Sequence, residues 1–101
     1  MTQSTVRVVA RLAAFPDKVE EAKALLLELI EPTRQETGLI QYDLLQNRAD
    51  PTDFTFVEEW ESHAALDAHL ASAHIQAAIA RIPELIAEGP DIRRYTLLSV
   101  R

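Results

Sequence analysis

The side chains best suited to chemistry crowd into one stretch, Glu58-Glu59-Trp60-Glu61-Ser62-His63-Ala64-Ala65-Leu66-Asp67-Ala68-His69-Leu70-Ala71-Ser72-Ala73-His74. It holds the only tryptophan and all three histidines of the 101-residue chain. Histidine exchanges protons near neutral pH, and an indole offers a flat apolar wall. Phe54, Phe56, Glu58 and Trp60 alternate in sequence and would share one face of a strand. A carboxylate among three aromatics loses solvation, which raises its pKa unless it is paired. Glu58 is thus a candidate proton-handling or hydrogen-bonding acid in an apolar pocket. The plainer alternative is a carboxylate near a strand end that reaches water or an arginine.

If the histidines lay on one continuous helix, steps of six and five residues would set them about 240° and 140° apart. They would share no face, so ligand spacing gives no support to a metal site. His69 lies three residues after Leu66 and one before Leu70, at the border of an apolar stripe, where it can look into a gap between helix and sheet. His74 falls near a junction between two helical segments, where the chain can turn it toward the same gap. Either ring can instead be satisfied by a carbonyl or by water. His63 reads as a solvated first-turn residue. Tyr42 and Trp60 are either core aromatics or the walls of a flat cavity, with the Tyr42 hydroxyl as a polar anchor.

The elements that would position these groups follow from periodicity. Val6, Val8, Ala10 and Leu12 alternate as a first strand. Pro16-Asp17 opens a helix, with Asp17 as its expected cap and Glu20 completing a capping box. Val19, Ala22, Leu25, Leu26, Leu29 and Ile30 form its buried stripe. Pro32 should kink or end that helix, and Gly38 closes the segment. Leu39–Gln46 reads as a second strand with Ile40, Tyr42, Leu44 and Gln46 on one face. A turn over 47–53 makes it a hairpin with Phe54–Trp60. Ser62 caps a short helix carrying Leu66 and Leu70. A further helix from about Ser72 turns Ile75, Ala78, Ile79 and Ile82 inward, is disturbed at Pro83 and ends at Gly89-Pro90. Ile92–Val100 is the expected last strand. The order βαββαβ specifies an α+β, ferredoxin-like split fold: a four-stranded antiparallel sheet with helices on one face. The other face, read as carrying Val9, Leu39, Leu45, Val57 and Leu98, is too apolar to leave wet, so a homodimer packed sheet to sheet is expected.

Composition bounds the partners. One domain, residues 1–101, with 48% apolar residues suits a single packed core. Ten basic against sixteen acidic residues, a net charge of −6, argue against nucleic acid and anionic membranes. The absence of cysteine removes disulfides, thiol nucleophiles and thiolate metal sites. Met1–Val9 does not read as a signal peptide. The run Ala24–Ile30, interrupted by Glu28, is too short to span a bilayer, so a cytoplasmic protein is expected. Two glycines cannot build a phosphate cradle.

Glu58-x-Trp60-Glu61-Ser62, Leu66-x-Ala68-His69-Leu70 and His74 together resemble the antibiotic biosynthesis monooxygenase domain family. Glu36-Thr37-Gly38-x-x-x-Tyr42 resembles that family's Glu-Pro-Gly…Tyr stretch, with Thr37 in place of proline. The resemblance covers nearly the whole chain and is nearest to the small bacterial quinol monooxygenases. It implies a dimeric α+β barrel that uses no metal, haem or flavin, with molecular oxygen as co-substrate and a small aromatic substrate such as a quinol, phenol or polyketide-like compound. His69 would then be the base, Glu58 would orient it or share its proton, and His74 would be a secondary catalytic contact. Tyr42, Trp60, Phe56 and Ala10 would line the substrate pocket. Haem-degrading relatives use an asparagine, a tryptophan and a histidine at positions that here are Ala10, Trp60 and Ile79, so a haem ligand is missing. Other relatives process phosphorylated autoinducer sugars, and a non-catalytic dimer binding a hydrophobic metabolite is a further alternative.

Overall fold

The computed structural model describes residues 5–99. Its elements are β1 (Val6–Ala14), α1 (Val19–Leu27), α2 (Ile30–Arg34), β2 (Leu39–Gln46), β3 (Asp53–Trp60), α3 (His63–Leu70), α4 (Ala73–Leu85) and β4 (Ile86–Tyr95). The strands form one antiparallel sheet in the order β2-β3-β1-β4, the ferredoxin-like split arrangement expected. Val6, Val8, Ala10, Leu12 and Ala14 of β1 alternate inward, as do Phe54, Phe56, Glu58 and Trp60 of β3. They meet Ala22, Leu25, Leu26 and Leu29 from the first helical segment, Leu66 of α3 and Ile75 and Ala78 of α4 in one core. Burying this many large apolar side chains supplies the main drive to fold, at about 1.5–3 kcal/mol for each fully buried one.

Several local readings need correction. Asp17 does not cap α1: Lys18 occupies the cap position and no side chain caps the helix. The helix breaks after Leu27, before Pro32, which sits inside α2. Proline cannot donate to the carbonyl of Glu28, so the chain loosens one turn ahead of it. α4 holds Pro83 inside it and ends at Leu85, ahead of Gly89-Pro90. The last strand starts at Ile86 rather than Ile92 and ends at Tyr95, running through Gly89-Pro90 instead of after it. Its pairing with β1 shifts register between Arg11 and Ala14. Gly89, at φ +95°, takes part in this irregularity: a Cβ there would lie 2.5 Å from the Arg11 carbonyl oxygen, so only glycine lets the strands close. Val100, assigned to the last strand from sequence, lies outside the described residues.

The outer face of the sheet carries a different set of residues from the one the sequence suggested. A register shift between Leu39 and Gln41 pairs Leu39 with Trp60 and packs it against the core, leaving Ile40 exposed. Leu98 lies beyond β4 and is 88% exposed. Val9 and Val57 remain on the outer face, beside the ion pairs Arg7–Glu59 (3.4 Å) and Arg11–Asp53 (3.2 Å). No helix among the described residues is long and apolar enough to cross a membrane.

Candidate active site

Three turns of the chain converge behind β3. Ser62 caps α3, its hydroxyl accepting the Ala65 N–H at 3.1 Å. This fixes where α3 leaves the sheet and lays Leu66 and His69 on the buried side. At Ala71–Ser72 the helix stops, and Ser72 takes an extended backbone before α4 begins. That break turns His74 back toward His69. From the other side, the turn between α2 and β2 brings in Glu36, held by its N–H to the Thr33 carbonyl at 3.0 Å. Gly38 follows at φ +87°. A Cβ there would meet the Ala65 Cβ at 2.7 Å, so glycine lets the turn lie directly against α3.

Oε2 of Glu36 accepts two hydrogen bonds, from His69 Nδ1 at 2.7 Å and from His74 Nε2 at 2.8 Å. The Ser72 hydroxyl donates to the His69 carbonyl at 2.6 Å and lies 3.3 Å from His74 Nε2. His69 and His74 therefore do share a site, while His63 lies against Arg94. The spacing geometry for a continuous helix did not apply, because the chain is not one helix between them. His69 is 2% exposed. Burial depresses its imidazole below its usual value, and the Glu36 hydrogen bond opposes that only in part. The ring is consequently neutral near pH 7. With Nδ1–H committed to Glu36, its lone pair is at Nε2.

His69 lines a partly open cavity of about 80 Å³ between the sheet and the helices. Its walls are apolar: Val8, Ala10, Leu26, Phe56, Leu66 and Ile75 are among them. His69, Glu58 and Tyr42 supply the polar groups, and no lysine or arginine lines it. The volume holds several waters. Ile79, Pro90 and Ile92, exposed residues of α4 and β4, also border it and mark its mouth.

Glu58 is 4% exposed. Its Oε1 accepts the indole N–H of Trp60 at 2.8 Å. Burial pushes its pKa up to about 7, the Trp60 hydrogen bond restrains the rise, and the charge of Glu36 adds to it. Near neutral pH the carboxyl is therefore shared between its protonated and ionised forms. Burial, and then the neighbouring Glu58, drive the Tyr42 phenol upward, so it stays protonated. Tyr42 stacks on Phe56 with ring centroids 5.0 Å apart and meets His69 edge-on at 5.5 Å.

Of the residues singled out from sequence, His69, Glu58, Tyr42, Phe56 and Ala10 border the cavity. Trp60 and His74 do not. Trp60 packs behind His69 at 4.7 Å between ring centroids and holds Glu58. His74 bonds to the Glu36 carboxylate and is not part of the cavity lining. The orienting partner of His69 is Glu36, not Glu58. Glu36 lay in a quoted motif, but its place in a turn gave no periodic signal. Ile79, expected to point inward, is 44% exposed at the mouth.

Residues 5–81 match the family model described as antibiotic biosynthesis monooxygenase. Rv0793 of Mycobacterium tuberculosis, provisionally named a monooxygenase, is 39% identical over 83 residues, 82% of this chain and 81% of that protein. The uncharacterised protein sll1783 of Synechocystis is 33% identical over 94 residues, 93% of this chain. This chain spans only 64% of the length of sll1783. The crystal structure of PA3566 from Pseudomonas aeruginosa superposes with a TM-score of 0.91 at 28% identity, covering 98% of this chain and 99% of that one. Matched over three quarters of its length and bearing the same fold, the chain belongs to the antibiotic biosynthesis monooxygenase family.

Proposed function

We propose that the protein is a cofactor-independent monooxygenase that oxidises a small, flat hydroxyaromatic, a quinol or phenol, with molecular oxygen. The observation that carries this reading is His69: a neutral imidazole, its Nδ1–H fixed on Glu36, bordering an apolar cavity shared with a carboxyl that titrates near pH 7. Triplet oxygen reacts slowly with closed-shell molecules but accepts an electron from an electron-rich anion. In the proposed cycle Nε2 of His69 removes the substrate's acidic proton. The resulting anion passes one electron to oxygen, and the two radicals recombine as a carbon-bound peroxide. Protonated Glu58 returns a proton to that peroxide. Loss of water then leaves a ring carbonyl: a hydroquinone plus O2 gives a hydroxyquinone plus H2O, and an anthrone CH2 plus O2 gives C=O plus H2O, with the ring carbon's proton passing to the Glu58 carboxylate and the proton held by His69 leaving in the water. The apolar walls keep bulk water from the reactive species. Tyr42, protonated, offers a hydrogen bond to the substrate oxygen.

A phosphorylated sugar would ask for a cation at the pocket, and the lining has none. Oxygen uptake with a panel of hydroquinones and anthrones tests the proposal, with product labelling from isotopic oxygen. Uptake that is unchanged from the protein-free rate across the panel, together with tight ligand binding, would replace it with a binding module. A homodimer belongs to the same proposal. It is favoured by Val9 and Val57 on the outer sheet face and by exposed Leu45 and Tyr95, and sedimentation equilibrium tests it.

A further inference from the structure

Orienting His69 takes one carboxylate. The structure supplies a second imidazole on the same oxygen, and the proposed chemistry has no use for it. His74 Nε2, His69 Nδ1 and Glu36 Oε2 all lie within 4.8 Å of one another. We propose that these three groups form a binding site for a borderline divalent cation, of the Zn²⁺ class, and that its occupancy switches off the base at His69.

Two imidazole nitrogens and one carboxylate oxygen suit Zn²⁺, Co²⁺ or Ni²⁺ and are poor in oxygen for Mg²⁺ or Ca²⁺. Around a tetrahedral Zn²⁺, donors at about 2.0–2.1 Å stand about 3.3 Å from one another. The present nitrogen-to-oxygen distances are 2.7 and 2.8 Å, bridged by protons. Replacing those protons with the metal requires Glu36 to retreat by about half an ångström and the two imidazole nitrogens, which lie within 4.8 Å, to close to about 3.3 Å. Glu36 belongs to a turn rather than to a helix or strand, so the retreat disturbs no ladder of backbone hydrogen bonds. Its Oε1 has no partner among the described residues and is free, with water, to complete the coordination shell. His74 and Glu36 are part-exposed, with side-chain accessibilities of 23% and 16%. A cation therefore reaches the site from solvent without entering the apolar cavity, which neither residue lines.

The consequence for His69 follows from which nitrogen is taken. The metal takes Nδ1, the nitrogen now bonded to Glu36, and exchanges an anionic hydrogen-bond acceptor for a cation. Ligation through Nδ1 puts the one N–H of the neutral ring on Nε2, so the lone pair that would accept the substrate's proton is lost while the ring stays in place. The bound cation thus acts as an inhibitor and not as a participant in the reaction. This inhibitory effect rests on the proposed oxygenase function, whereas binding itself does not.

Equilibrium dialysis of the metal-free protein against Zn²⁺ tests binding, with Co²⁺ as a spectroscopic probe of a tetrahedral nitrogen–oxygen site. One Zn²⁺ per chain is expected. His74→Ala and Glu36→Gln should each weaken binding by at least about tenfold, while His63→Ala, whose ring lies against Arg94 instead, should not. Circular dichroism melts establish that the variants are folded. Absence of stoichiometric Zn²⁺, or His74→Ala binding as tightly as the parent, overturns the site. If Zn²⁺ binds as expected but oxygen uptake with an accepted hydroquinone is unaffected, the switch fails and the site stands. If no hydroquinone is accepted, the proposed function and the switch fall together, while the binding result is untouched.

Discussion

Replacing Glu58 by Gln should make the protein more stable above pH 7, and the size of the gain follows from the burial of this carboxyl. Glu58 has an ordinary value of 4.5 that burial among Trp60, Phe56 and Tyr42 raises to about 7. The folded state therefore holds this proton more tightly than the unfolded chain. The contribution of Glu58 to stability is greatest below pH 4.5, falls as pH rises from 4.5 to about 7, and is level beyond that. At 1.36 kcal/mol per pH unit, the loss across this window is about 3 kcal/mol. Glutamine retains an oxygen that accepts the Trp60 N–H and carries no charge to desolvate. Urea titrations between pH 5 and pH 9, followed by the fluorescence of the single buried tryptophan, measure the difference. The parent should lose about 3 kcal/mol more than the variant across this range. His69, depressed below its usual value by burial, imposes the opposite slope as pH falls through the region near 6.5, but it does so in both proteins. The difference between them isolates Glu58. Parallel pH profiles for parent and variant would refute the buried, neutral carboxyl and remove it as the proton donor to the peroxide.

Three further outcomes test the rest of the site. His69→Ala should lower kcat/KM for an accepted hydroquinone by about 10²–10⁴-fold with the fold retained by circular dichroism; an unchanged rate removes His69 from the mechanism. Trp60→Phe deletes the hydrogen bond that restrains Glu58, so the midpoint of the pH-dependent stability should move above 7, read from melts by circular dichroism. Gly38→Ala should destabilise by about 1–2 kcal/mol from its left-handed backbone alone. The 2.7 Å approach to the Ala65 Cβ adds to that cost and should shift α3, so turnover should fall along with the melting temperature.

The parts of the fold legible in the sequence are those in which one periodic pattern decides the outcome. The alternation Val6-Val8-Ala10-Leu12 places β1, Phe54-Phe56-Glu58-Trp60 places β3 with its inward carboxyl, and Ser62 announces α3 through its hydroxyl. Misreadings arise where a local irregularity overrides the pattern. The register shift at Leu39–Gln41 exchanges Leu39 with Ile40 across the sheet. The strand that begins at Ile86 continues through a glycine and a proline that read as a terminator, because an irregular pairing with Arg11–Ala14 accommodates them. Glu36 was legible only as part of a motif: nothing in its neighbours announces that its carboxylate is a tertiary partner of side chains 33 and 38 residues away.

The two carboxylates of the site differ in what surrounds them, and in the proposed cycle that difference would supply the two ends of a proton transfer. Glu36 faces two N–H donors and partial solvent, which suits a fixed acceptor that holds His69 in one tautomer. Glu58 faces one N–H donor and aromatic walls, which suits an acid that titrates near pH 7. Their charges are also coupled: Glu36 helps raise Glu58. Neutralising Glu36 would therefore release His69 from its tautomer and at the same time make Glu58 a stronger acid. In the proposed cycle the base would lose its orientation, and the proton donor, still raised by its burial, would hold its proton less tightly. A small domain can thus separate removal of a proton from its return by environment alone, with the break at Ala71–Ser72 supplying the geometry that a single uninterrupted helix would deny.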